Sequence, residues 1–144
     1  MSVNQSKTLG SVLGRYEGEG AWVDETGQMK PYKIEMKIEA RQDGRFNKWF
    51  KHHFVDEGVV TEQAVVLQLR GAGVLGVSMD SAPIKGRGYF TGNALHYELE
   101  IPGNRVEVSV LFDESGSVVV LGSSEKNKEG RFIWWRESLV YSGA

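Results

Sequence analysis

The sequence predicts an all-β fold, a closed antiparallel up-and-down barrel of about ten strands. Three observations carry this. Apolar and polar residues alternate with period two along most of the chain after Arg15. No window holds an i, i+3, i+4, i+7 apolar stripe over three helical turns. Turn-forming residues interrupt the alternation at short, regular intervals, as sequential hairpins require. An open meander of this length would expose two edges, and closure removes both.

The elements follow in order. Residues 1–8 are expected to be a flexible tail. Leu9 to Gly14 is short, apolar and flanked by glycine, and suits one helical turn capping a barrel end. Strands are expected at 15–24, 32–41, 45–56, 60–70, 73–79, 84–91, 94–101, 105–112, 117–124 and 131–141. The clearest runs from Tyr32 to Ala40, where Ile34, Met36, Ile38 and Ala40 alternate with Lys33, Glu35, Lys37 and Glu39. One face is dry and the other wet, which antiparallel sheets allow. Leu95, Tyr97, Leu99 and Ile101 repeat the pattern, as do Val106, Val108, Val110 and Phe112. Ile101-Pro-Gly-Asn104 and Asp113-Glu-Ser-Gly116 read as tight turns.

Composition narrows the class. The 144 residues suit one domain over 1–144, and 40% hydrophobic with 25% charged residues argues against disorder. Lys plus Arg number 17 against 19 Asp plus Glu, a net charge of −2, so no basic excess favours nucleic acid. There is no cysteine, which excludes disulfides and thiolate chemistry and fits a reducing compartment. The polar N-terminus lacks the apolar core of a signal peptide, and no apolar run approaches the length of about eighteen residues that a spanning helix needs. A cytoplasmic, soluble protein without a membrane partner is the expectation.

The first strand carries a resemblance. Gly14-x-Tyr16-x-Gly18-x-Gly20-x-Trp22 places Tyr16, Gly18, Gly20 and Trp22 on one face and leaves Glu17 and Glu19 on the other. Gly20-Ala-Trp22 resembles the G-x-W of lipocalins. The glycine spacing is similar to the first strand of nitrobindin-like haem proteins, with Tyr where that family usually has Trp. The chain thus resembles the calycin superfamily, which includes lipocalins, fatty-acid-binding proteins and avidins. The resemblance implies a lipocalin-like barrel around a small, mostly apolar ligand. It also implies that an Arg of the last strand packs over Trp22. Arg136, which shares a face with Phe132 and Trp134, is the residue expected there. Nitrobindin-like proteins hold haem through a C-terminal His. The three histidines of this chain are His52, His53 and His96, so haem held that way is not expected, nor is another cofactor.

Candidate chemistry rests on few residues. His52 and His53 are adjacent on a strand, point to opposite faces and cannot chelate one metal together. His52 shares a face with Phe46, Lys48, Phe50 and Phe54. If that face is inward, Lys48 and His52 are polar groups in an aromatic lining; if outward, the same set forms a rim or a contact surface. Strand 84–91 offers Lys85, Arg87 and Tyr89 against Gly86, Gly88 and Phe90. Either the glycines relieve crowding at a bend, or Arg87 and Tyr89 point inward and bind a carboxylate. An inward Arg87 would need an anion. Trp134 and Trp135 split across faces, and Trp49 with Trp135 is a candidate homodimer patch, set against ordinary burial under Lys stems. Gly71 to Gly76 lacks the Lys and the helix of a phosphate loop. No nucleophile–base set and no metal-spaced cluster appears along the chain.

The expected function is binding of a small apolar or amphipathic molecule in the interior. Phe50, His52, Arg87, Tyr89, Tyr97 and Trp134 are the ligand-binding candidates, with Trp22 and Arg136 closing one end. Two alternatives stay open. One is an isomerase- or lyase-type enzyme using His52 as a base. The other is a filled barrel that works through its surface.

Overall fold

The computed structural model describes residues 8–144. Apart from Thr8, the expected tail lies outside the described residues. Ten strands follow a short 3-10 turn at Leu9–Val12: β1 (Gly14–Asp24), β2 (Met29–Ala40), β3 (Phe46–Phe54), β4 (Val59–Leu69), β5 (Val74–Met79), β6 (Ala82–Phe90), β7 (Ala94–Ile101), β8 (Asn104–Phe112), β9 (Ser117–Ser124) and β10 (Ile133–Gly143). Each pairs antiparallel with its sequence neighbour, and β1 pairs with β10 to close the barrel. The all-β, up-and-down barrel expected from the alternation is what forms.

The alternation becomes the inner and outer faces directly. Tyr32, Ile34, Met36 and Ile38 of β2 are buried in the core together with Leu95, Tyr97 and Leu99 of β7 and Val108 and Val110 of β8. At about 25 cal/mol per Å² of apolar surface removed from water, such rows dominate the favourable side of folding. Asp113-Glu-Ser-Gly116 turns as its residues suggest. Gly116 takes a left-handed φ of 91° and donates its N–H to the Asp113 carbonyl at 3.0 Å.

One boundary departs from expectation for a clear reason. β2 begins at Met29, three residues ahead of the expected start at 32, and so takes in Pro31. Pro31 lies opposite Ala21 of β1, whereas pairing with β3 starts only at Lys33. The first residues of β2 are therefore a local edge, where a missing N–H is tolerated.

The two rims differ. At the first, Leu9 and Val12 of the 3-10 turn are buried in the core, and the Tyr16 hydroxyl donates to the Val12 carbonyl at 2.8 Å. This is the closed end, and the short apolar segment caps it as expected. The opposite end carries the loops 25–28, 55–58, 80–81, 102–103 and 125–132. No helix among the described residues is long and apolar enough to cross a membrane.

Candidate functional site

The candidate site is the inner face near the second end. There, inward-facing Trp22, Met79, Ile84, Val106 and Trp135 pack on the core yet stay partly exposed. Exposure penetrates deepest beside β4. The β4–β5 ladder runs only from Val66 to Leu69, so among the described residues Val59 to Val65 have no partner on that side. Phe50 lies opposite Gln63 in the β3–β4 ladder. Phe50 is half-buried and Gln63 exposed, although both belong to the inner face. At the closed end Phe46 and Phe112 are also partly exposed, but the next inward residues, Lys48 and Val110, are buried.

Inward glycines let two strands approach closely. A Cβ on Gly86 would run into the Glu98 carbonyl oxygen, and one on Gly88 into that of His96, so β6 lies close against β7. Larger side chains are excluded along this wall by backbone proximity.

Besides Asp24 and Ser124, buried at the rim, the described residues hold two buried polar clusters deeper on the inner face. Lys48, 4% exposed, extends its Nζ to the Tyr97 hydroxyl at 3.0 Å. The same nitrogen stands 4.6 Å from the Phe50 ring centroid and 5.4 Å from that of Tyr97. The second group is built on Glu137, 5% exposed. One carboxylate oxygen, Oε2, accepts the Tyr32 hydroxyl at 2.7 Å and faces His52 Nε2 at 3.3 Å. Burial, then the Glu137 charge and this hydrogen bond, push the Tyr32 hydroxyl far above its ordinary pKa. Trp22 leans on Tyr32, His52 and Phe54 with ring centroids 5.7, 5.6 and 4.9 Å away. At the rim the Thr26 hydroxyl, the Thr26 and Gln28 N–H groups and Arg131 hold the Asp24 carboxyl below its usual range, tying loop 25–28 to loop 125–132.

The structure brings Phe50, His52 and Tyr97 together on the inner face and settles β3 with His52 inward and His53 outward. It separates the other candidates. Arg87 and Tyr89 stand exposed on the outer face, because the glycines take the inner positions of β6. Tyr89 stacks on His96 at 5.2 Å outside the barrel. Trp134, 41% exposed, is also outside. Arg136 lies on that same outer face and cannot cover Trp22. The register sets Trp135 opposite Trp22 instead, with ring centroids 6.5 Å apart and the Trp135 indole lying over Gly122. Trp135 is therefore an interior residue and no part of a surface dimer patch. Trp49 is outside, but Lys37 covers its ring at 5.6 Å and its Nε1 donates to Glu62 at 3.0 Å. That is the ordinary burial weighed against a dimer contact.

Sequence reasoning missed Glu137 and Tyr32 as polar site residues. Glu137 interrupts the apolar inner row Ile133, Trp135, Leu139, and that interruption was the signal. Its partner Tyr32 lies 105 residues away, where no spacing rule reaches.

Two further features lie on the outer surface. A depression of about 660 Å³ lies over β1, floored by Ala21 and walled by Trp134, Arg136, Pro31 and Lys33. On β7 and β8, donor atoms of His96, Glu98 and Glu107 lie within 4.8 Å of one another. The register alone juxtaposes them, since Glu98 and Glu107 are cross-strand partners. Arg105 already bridges both carboxylates, so the cluster is compensated as an ion-pair network.

No protein-family model and no curated protein sequence matches this chain. Solved structures do. The S-type phycobiliprotein lyase CPES from Guillardia theta superposes with a TM-score of 0.76 at 9% identity, over 94% of this chain and 91% of that one. A DUF3598-family protein from Nostoc punctiforme PCC 73102 gives 0.72 at 11% identity, over 96% of this chain and 50% of its own length. Rv2717c from M. tuberculosis gives 0.67 at 14%, over 93% and 94%. At these identities the likeness is one of fold.

Proposed function

We propose that the protein binds one small amphipathic molecule in the barrel interior, taken up at the open end beside β4. The observation that carries this is the row of inward-facing apolar side chains left partly exposed there, while the other end is sealed by Leu9 and Val12. A concave apolar wall with few convergent polar groups is the usual make-up of a ligand site. Trp22, Phe50, Ile84, Val106 and Trp135 offer the apolar surface, and Lys48, His52 and Tyr97 the orienting groups. The lipocalin- and nitrobindin-like first strand and the fold shared with a protein named as a phycobiliprotein lyase support a small-molecule ligand on a barrel of this type.

A second reading makes the same interior catalytic. His52, with one ring nitrogen held by Glu137 beside the Tyr32 hydroxyl, is an oriented acid–base group in a dry wall.

Uptake is tested with the uncharged fluorophore N-phenyl-1-naphthylamine, alongside native and denatured mass spectrometry. Wild-type protein is expected to enhance the probe's fluorescence, and Val106→Trp, which fills the mouth, to weaken its binding about tenfold or more, a cost of roughly 1.4 kcal/mol. A bare native mass together with no uptake by wild type would overturn the binding function and leave a barrel that acts through its outer surface.

A further inference from the structure

We infer that the occupant is a monocarboxylate, its acidic group seated between Lys48 and Tyr97 and its apolar body running past Phe50 toward the mouth. The inference rests on the interior-binding function proposed above and names the chemistry of its ligand.

The observation is a buried ammonium group with no ion-pair partner among the described residues. Among the described residues the lysines found in ion pairs are Lys30, exposed at the rim of the open end, and Lys37 and Lys51 on the outer face, and Lys48 is not among them. Its hydrogen-bond partner is the Tyr97 hydroxyl, the Phe50 and Tyr97 rings flank its nitrogen, and its cross-strand partners are the buried Ile38 and Val65. Glu137, the buried carboxylate of the interior, is already shared by Tyr32 and His52. A buried charge without a counter-charge is costly, and ring faces return only part of that cost. An anion supplied from outside offsets it.

The donor set narrows the anion. Tyr97 accepts a hydrogen bond from Lys48, which leaves its own O–H free to donate. The ammonium and the hydroxyl thus present two donors 3.0 Å apart, and the two oxygens of one carboxylate can accept both. A single negative charge matches a single lysine. A phosphate dianion would leave one charge uncompensated among apolar side chains, with no arginine fork to receive it. Phe50 places an apolar surface directly between Lys48 and the partly exposed wall, which suits a chain or ring attached to the carboxylate.

The test is a matched pair of ligands, decanoate and 1-decanol, titrated calorimetrically into wild type, Lys48→Met and Tyr97→Phe. Wild type is expected to bind the acid at least about tenfold more tightly than the alcohol, the size of one charge-assisted hydrogen bond. Lys48→Met should abolish the preference while still binding the alcohol, and Tyr97→Phe should reduce it severalfold. Thermal unfolding of the ligand-free proteins is an independent readout. Lys48→Met, relieved of the buried charge, should melt a few degrees above wild type. Decanoate should raise the melting temperature of wild type and not of the variant. Uptake of the neutral fluorophore without an acid preference would overturn this inference alone. Rejection of acid, alcohol and fluorophore together would overturn it along with the binding function. A Lys48→Met protein that keeps the preference, or that melts below wild type, also counts against it.

Discussion

The two ends of the barrel are made from the same alternating strands and reach opposite outcomes. At the closed end Phe46 and Phe112 are partly exposed at the edge, but Leu9, Val12, Leu75, Leu95, Val110 and Val118 fill the inner positions and are buried. At the open end the corresponding positions hold Trp22, Ile84, Val106 and Trp135, which keep contact with solvent. Buried polar groups stand between the two regions: Lys48 with Tyr97, then His52 with Glu137 and Tyr32. The densest packing lies at the closed end, and the binding function proposed above places uptake at the end where packing is incomplete, in keeping with the general separation of scaffold and site.

Truncations at the two ends break or confirm that division, and carry the largest expected effect. Leu95→Ala removes a fully buried side chain from the closed half and should cost about 2–5 kcal/mol. Ile84→Ala removes a partly exposed one at the mouth and should cost about 1 kcal/mol. Urea unfolding compares the two through the transition midpoint at unchanged slope. Equal losses would mean that the open end is packed as tightly as the closed one.

The polar layer between the ends gives the next effect. Tyr32→Phe removes a buried hydrogen bond to Glu137 and should cost about 1–2 kcal/mol at neutral pH. It should also change the response to alkali. An unfolded Tyr releases its proton near pH 10. In the folded protein the Tyr32 hydroxyl holds its proton well beyond that, chiefly because it is buried. Above about pH 10 the unfolded chain therefore binds fewer protons than the native one, and stability falls as pH rises, by up to about 1.4 kcal/mol per pH unit for one group. Tyr16 is raised in the same direction by burial and by Tyr141. Midpoints measured from pH 8 to 11 should fall more gently in Tyr32→Phe than in wild type. Parallel profiles would place the alkaline sensitivity elsewhere in the molecule.

The strands were legible because antiparallel pairing imposes period two on any sequence with one dry face. β2, β7 and β8 needed nothing more. Which face is dry was legible only where one set of residues is clearly apolar. β6 offered Lys85, Arg87 and Tyr89 against glycines, and glycine carries no hydropathy signal. Its inward placement is fixed by the backbone approach of β7, a tertiary fact. β10 offered apolar residues on both faces, Phe132 and Trp134 against Ile133 and Trp135. The choice is made by register with β1, which sets Trp135 opposite Trp22. A one-residue misjudgement of that kind turns every side chain to the other face, which is how Arg136 was expected inside. The polar pairs Lys48–Tyr97 and Tyr32–Glu137 join strands 49 and 105 residues apart in sequence, so no local spacing could announce them.

The smallest expected effect sharpens the contrast between inner and outer faces. Arg87 is exposed on β6, opposite Gly76 on one side and Glu98 on the other, and Glu98 has Arg105 as its ion-pair partner. Arg87→Ala should therefore change stability by no more than about 0.5 kcal/mol, the range of ordinary surface substitutions. It should leave uptake of the neutral fluorophore and the preference for decanoate over decanol unchanged. The same holds for Trp134→Ser with respect to uptake, since that indole stacks on Phe132 outside the barrel with ring centroids 5.9 Å apart. An Arg87→Ala protein that lost its acid preference while Lys48→Met kept it would move the anion site to the outer face of β6. Loss in Lys48→Met alone would put the carboxylate in the interior, on the cation that, among the described residues, the fold buries without an ion-pair partner.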